Sequence, residues 1–284
     1  MIIVKTYKAP TFNKSEILRY AGVKSDFFKK LKKEDKFLDT KQETVESQFS
    51  TKTNTIFDSS IRIDKISDKK VSKQIEEDNG SLDSIISLME SCIEEVRNKL
   101  TYKVCYETFS ISACGEYLDL EFTKTTSKDL RKNLKDCESV ILFSATIGME
   151  IDRLIARYSR ISPVKALLFQ AIGAERIESL CDMFNKDIKE QVALCGMTIR
   201  PRFSAGYGDL PLEMQREIFQ TLDCARKIGV SLNESLLMSP SKSVTAFIGV
   251  VKQEVLEHGE QISKEKFGCC ICDKKNCMYR FVWG

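Results

Sequence analysis

Histidine is nearly absent from this chain: His258 is the single one in 284 residues. That excludes most histidine-centred triads and histidine-rich zinc sites, which need a placed neutral imidazole. Tryptophan also occurs once and proline only five times. No apolar run approaches the roughly 18–20 residues of a membrane span, the longest lying around Val140–Phe143. The opening MIIVKTYKAP has no basic head followed by an apolar stretch, so no secretory signal is expected. Net charge is equally scarce: 44 Lys and Arg against 41 Asp and Glu leave a formal +3. A protein that coats nucleic acid needs a clustered basic excess, and this balance argues against that role.

Cysteine, by contrast, is plentiful. An odd total of 11 without a secretory signal predicts reduced thiols in a cytoplasm rather than a disulfide framework. Seven of them (Cys92, Cys105, Cys114, Cys137, Cys181, Cys195 and Cys224) are scattered singly, mostly in apolar settings, and read as small buried hydrophobes. The other four, Cys269, Cys270, Cys272 and Cys277, crowd together near the C-terminus. Their C-x-x-C and C-x4-C spacings suit zinc or an iron–sulfur centre. Adjacent Cys269 and Cys270 seldom bind one metal together, so three ligands plus an outside one stand beside four, and free thiols beside both.

The chain divides by texture into an N-terminal segment (1–28), a charged insertion or linker (29–80), a folded core (81–256) and a cysteine-rich tail (257–284). The insertion holds no Cys, Pro, Ala or Tyr, and 23 of its 52 residues are charged; it reads as solvated. Before it, Ile2–Val4 is extended and Ser15–Tyr20 a short helix ended by Gly22. After it, Ile85, Met89, Cys92, Ile93, Val96 and Leu100 keep the spacing of one helix face. Tyr102, Val104 and Tyr106 alternate, as do Leu118, Leu120 and Phe122, which predicts two half-buried strands. Ser127 caps a helix through Cys137, and Val140–Phe143 is a central strand. A strand–glycine turn at Gly148 opens the next helix. Ser162-Pro163 then launches a long one to about Val192, interrupted or tightly packed at Gly173. Glu175, Glu178 and Asp182 form an acidic row on it, an arrangement that usually faces solvent. Arg200-Pro-Arg-Phe-Ser-Ala-Gly-Tyr-Gly-Asp-Leu-Pro211 is expected to join two helices. A helix then runs from Leu212 to Ile228, and Ser243–Val251 is β-like.

The blocks Arg202-Phe-Ser-Ala-Gly-Tyr-Gly-Asp-Leu-Pro211, Ile228–Ser235, Met238-Ser-Pro240 and Ser243-Val244, in that order, resemble the activation domain of cobalamin-dependent methionine synthase. Leu18-Arg-Tyr20, Leu142–Gly148 and Ala171-Ile-Gly173 add to the match. The resemblance covers roughly Ile85 to Val251 plus the short N-terminal helix, and is nearest to free-standing activation subunits. It implies an α+β fold, a twisted and largely antiparallel sheet with surrounding helices. It further implies S-adenosylmethionine as ligand, cobalamin held by the synthase catalytic subunit as partner, and an electron donor such as flavodoxin or ferredoxin. In the family a one-electron reduction of inactive Co(II) gives Co(I), which takes the donor's methyl group. The protein's work is then positioning and electrostatics.

Carried over by motif, Arg202 grips the donor's carboxylate, because its fork matches carboxylate geometry. Arg200 is the competing arginine, and the spacing to Tyr207 favours Arg202. Ser204 offers backbone contacts, Gly206 permits close approach, and Tyr207 faces the cavity shared by donor and corrin. Glu178 corresponds to an acidic helix residue near the donor's polar end, and Phe247 supplies part of a stacking surface. The bland alternatives are a helix cap or an Asp209 ion pair for Arg202, a packed tyrosine for Tyr207, and turn glycines at 206 and 208. A reading of another class is a non-catalytic adaptor that joins a corrinoid protein to an electron carrier through its terminal cysteines.

Overall fold

A computed structural model describes residues 1–23 and 81–254. The charged insertion and the four terminal cysteines expected to bind metal lie outside the described residues. In chain order the elements are β1 (Ile3–Tyr7), α1 (Lys14–Tyr20), α2 (Ser81–Val96), β2 (Tyr102–Ser110), β3 (Ser112–Cys114), β4 (Tyr117–Asp119), β5 (Lys124–Thr125) and α3 (Lys128–Asn133). There follow β6 (Ser139–Thr146), α4 (Glu150–Ile161), α5 (Pro163–Ala193), β7 (Met197–Ile199), α6 (Met214–Leu222), α7 (Cys224–Ile228), β8 (Ser231–Leu232), β9 (Met238–Ser239) and β10 (Ser243–Lys252). They fall into two units: Met1–Lys8, Thr101–Gly148 and Ser179–Gly284 form the first, Ala9–Leu100 and Met149–Glu178 the second.

The first unit is built on a five-stranded sheet of order β1-β2-β6-β10-β7 with every pairing antiparallel. The α+β class with a largely antiparallel sheet is therefore correct. Strand β6 is central, as its apolar run Val140–Phe143 predicts, and is buried from Val140 onward. Its inward hydroxyls meet those of β10: Ser243 stands opposite Thr146 and Thr245 opposite Ser144. The Ser243 hydroxyl lies 2.9 Å from Thr146 Oγ1, so burial of that pair is compensated within the sheet. Leu130, Leu134, Leu142, Leu210, Ile218, Leu222 and Phe247 belong to one buried apolar cluster of this unit.

Local punctuation sets most boundaries. Ser127 caps α3 by accepting the Leu130 N–H at 3.0 Å, and Pro163 opens α5, which runs unbroken through Gly173. Several expectations are corrected. The alternation Leu118–Phe122 yields only the three-residue β4, paired with β3 and β5 in a separate small sheet. Helix α3 stops at Asn133, short of Cys137, and α2 stops at Val96, short of Leu100. The expected helix from Leu212 to Ile228 is two, broken at Asp223, whose φ of +47° is left-handed. Of the seven scattered cysteines, Cys92, Cys105, Cys181 and Cys224 are buried, Cys137 is half-buried, and Cys114 and Cys195 are exposed.

The second unit is helical. Helix α2 buries Met89, Cys92, Ile93 and Val96, the face its spacing predicts. Tyr158 of α4 stacks on Phe169 of α5 with centroids 5.3 Å apart. Within the acidic row Glu175 is not solvent-facing: it is buried and ion-paired with the wholly buried Arg176, whereas Asp182 is exposed. Arg176 donates to the carbonyls of Pro10 and Thr11 at 2.5 and 2.7 Å, and Glu175 accepts the Asn13 N–H at 3.2 Å. With the guanidinium 4.0 Å from the Phe12 ring centroid, this pair clasps residues 10–13.

Candidate functional site

The distinctive segment Arg200–Pro211 leaves strand β7, not a helix as expected, and ends before α6. It first follows the β10 edge. The Arg200 N–H donates to the Gly249 carbonyl at 2.8 Å, and Phe203 and Phe247 exchange both backbone bonds at 3.0 and 2.7 Å. Beyond Ser204 the chain turns away, anchored by two buried pegs, Ala205 and Leu210. The turn is held by Tyr207 N–H to the Ser204 carbonyl (3.2 Å), Gly206 N–H to the Leu210 carbonyl (2.9 Å) and Leu210 N–H to the Tyr207 carbonyl (2.9 Å). Its φ of +88° at Gly206 and +53° at Gly208 is why glycine stands at both places.

Arg202, Ser204, Gly206 and Tyr207 thus come together on one loop of the first unit. The Arg202 side chain is only 11% exposed, and Nη2 lies 3.2 Å from Asp182 Oδ1 on α5. Its partner is therefore Asp182, not the Asp209 that sequence proximity offers. Loss of surrounding water raises the Asp182 pKa above its ordinary value, and Arg202 offsets that only in part. A little over half of the Asp182 side chain still meets solvent, which keeps the upward pull weak in energy. Tyr207 is half-buried beside Phe203, ring centroids 6.2 Å apart. Ser204 is buried.

On α5, Asp182 pairs with Arg202, and Glu178, one helical turn before it, is half-buried. Arg200 turns to the Lys135 carbonyl, 3.2 Å from Nη2. Phe247 has no exposed face: it is wholly buried, with its ring stacked 6.5 Å from that of Phe122. It therefore offers no surface to a nucleoside.

A second set of contacts, not foreseen, fixes the far side of the loop. The Asp209 carboxylate accepts the Lys128 N–H at 2.7 Å, the Asp129 N–H at 3.2 Å and the Ser127 hydroxyl. In return the Asp209 N–H donates to Asp129 Oδ2 at 3.1 Å. Partial desolvation raises the Asp209 pKa, but the Ser127, Lys128 and Asp129 donors outweigh it and hold the carboxyl below its usual range. Ser127 and Asp209 also line a cleft of about 660 Å³ with Lys124, Thr126, Pro211 and Arg216, away from Arg202 and Tyr207. Ser127 was legible as a cap, Asp182 as part of an acidic row and Asp209 as part of the loop motif; Asp129 carried no signal beyond being acidic.

Among the described residues no group of three or more His, Cys, Asp and Glu is placed to hold a metal ion. No helix of the described residues is long and apolar enough to cross a membrane. Residues 129–265 match the family model described as vitamin B12 dependent methionine synthase, activation domain. That segment belongs to the methionine synthase activation domain family. It includes β6, all of α5, the Arg200–Pro211 loop and β10, and so every loop residue named above. A search of curated proteins returns no match. Among solved structures, a crystal structure of the MetH reactivation domain bound to AdoHcy is similar at 12% identity and a TM-score of 0.48. The likeness covers 88% of this chain and 78% of that one.

Proposed function

We propose that this activation-domain chain is a free-standing subunit. It binds S-adenosylmethionine at the Arg202–Tyr207 loop and supports reductive methylation of cob(II)alamin held by a methionine synthase catalytic subunit in the cytoplasm. The observation that carries the reading is the Arg202–Asp182 pair, on a loop and a helix both inside the matched segment. A guanidinium and a carboxylate 3.2 Å apart are the complement of an α-amino acid zwitterion. Arg202 takes the donor's carboxylate through its planar fork, and Asp182 takes the ammonium. Gly206, exposed and without a side chain, lets the donor approach the backbone, and Ser204 contributes its carbonyl's second lone pair. Tyr207 and Phe203 give an aromatic wall.

The cobalamin substrate accepts one electron from a reduced carrier such as flavodoxin or ferredoxin. The donor's methyl then passes from sulfur to cobalt, with the S–C bonding pair left on sulfur. This chain holds the sulfonium donor and excludes water from it; no side chain needs to move a proton. Cys269, Cys270, Cys272 and Cys277 extend the proposal to a zinc or iron–sulfur centre. Metal analysis of anaerobically prepared protein and of the Cys→Ser variants tests that extension.

The deciding assay mixes cob(II)alamin-loaded synthase, a reductant and S-adenosylmethionine, with and without this protein, and follows methylcobalamin by its absorption. Formation that depends on the protein and falls at least tenfold with Arg202→Ala is the expected outcome. Undiminished turnover by that variant refutes the carboxylate grip. Absence of donor binding in calorimetric titration, alone or with the synthase, leaves only an adaptor role.

A further inference from the structure

We infer that Asp209 and Asp129 form a latch that positions the Arg202–Tyr207 loop for its ligand, although neither residue touches that ligand; the inference rests on the donor-binding reading above. Helix α3 has six residues and already owns a cap, Ser127, whose hydroxyl accepts the Leu130 N–H. The Asp209 carboxylate brings a second set of acceptors to the same end, from 80 residues away in sequence. That set satisfies the Lys128 and Asp129 N–H groups that Ser127 leaves unmet, and it does so with a carboxylate borne by the loop, so capping α3 and holding the loop are one contact. The bonds run both ways, because Asp129 Oδ2 accepts the Asp209 N–H. Ser127 accepts one hydrogen bond and donates one, to Asp209.

The approach is close enough to dictate the residue between. A Cβ on Gly208 would stand 2.1 Å from Asp129 Oδ2 and 2.8 Å from its Cγ. Two facing carboxylates repel unless donors separate them, and the N–H groups of residues 128, 129 and 209 do so here. Between the buried pegs Ala205 and Leu210 the turn closes on itself through backbone hydrogen bonds. The latch one residue beyond Gly208 ties that turn to α3, and pre-ordering of this kind lowers the entropy lost in fixing Arg202 and Tyr207 when ligand arrives.

The test combines calorimetric titration with S-adenosylhomocysteine and amide hydrogen exchange on the full chain. Asp209→Ala is expected to weaken binding at least tenfold and to speed exchange at the Gly206, Tyr207 and Leu210 amides at least tenfold. Ser127→Thr keeps the hydroxyl and retains wild-type affinity. In an Arg202→Lys background the Asp209→Ala loss shrinks, because the fork the latch positions is already gone; a merely structural residue would give additive losses. Binding by Asp209→Ala within twofold of wild type, unchanged exchange at the three amides, or strict additivity each overturns the latch. Should Asp209→Ala fail to fold by circular dichroism, Asp129→Asn is judged by the same three measurements. If the wild-type chain binds neither donor nor product, the functional reading fails on its own, and exchange at the three amides still decides whether the latch orders the loop.

Discussion

Cys137 shows how far a single side chain's behaviour depends on packing that its sequence neighbours do not reveal. Burial pushes its thiol up to about 11, and the nearby Arg200 guanidinium only partly offsets that. The sulfur lies where a Cβ on Gly249 would be 2.5 Å away, so β10 passes close against it. Cys92 is likewise pushed up to about 11 by burial. Cys114 and Cys195 are exposed. Because the thiolate is the nucleophile, alkylation tracks both exposure and thiolate fraction. Brief treatment of native protein with iodoacetamide at pH 8 should label Cys114 and Cys195 well before Cys137 and Cys92. Peptide mass spectrometry over a time course reads the order, and early labelling of Cys137 would contradict its burial.

At the level of elements, α5 carries a buried charge pair whose loss should be costly. Removing Arg176 leaves Glu175 buried without its counter-charge and releases the carbonyls of Pro10 and Thr11. Breaking one partner of such a pair typically costs about 3–5 kcal/mol, so Arg176→Met should lower the denaturant midpoint sharply. Arg176→Met with Glu175→Leu should recover part of that. Helix α3 gives a pH-dependent counterpart. The folded Asp209 carboxyl titrates below its unfolded value, so its contribution is present above the unfolded pKa of about 3.9. It is lost as pH falls through the lower folded value. Asp209→Asn should therefore flatten the acid limb of a stability–pH curve and leave its slope near neutrality unchanged. An identical acid limb in the variant would show that these donors do not favour the ionised form. Elements with their own punctuation were legible in the sequence, such as α3 behind Ser127 and α5 behind Ser162-Pro163. Strands β7, β8 and β9, of two or three residues each, were not, since β7 exists only through pairing with the distant β10, and β8 and β9 are too short to show a pattern. The break at Asp223 was hidden inside an amphipathic run that continues on both sides.

On the scale of the whole molecule, the first unit is assembled from three separated stretches of chain, beginning at Met1, Thr101 and Ser179. This explains why the site was only half legible. Arg202, Ser204, Gly206 and Tyr207 are contiguous enough to be read as a motif. Asp182 reaches Arg202 from 20 residues upstream, and Asp129 reaches Asp209 from 80 residues upstream. Proximity of that kind is created by strand order, which pattern and propensity do not encode. The same organisation makes ligand binding visible as stability. A ligand that binds only the folded loop stabilises by mass action, about 2.7 kcal/mol at a hundredfold excess over Kd. For domains of 150–250 residues each kcal/mol moves Tm by about 2–4 °C, so S-adenosylhomocysteine should raise the melting temperature by about 5–10 °C. Arg202→Ala should melt near the wild-type temperature without ligand, yet lose most of that rise at the same ligand concentration. Equal shifts in both proteins would place the ligand away from this loop, whereas a shift confined to wild type ties stability of the fold to occupancy of the Arg202–Asp182 pair.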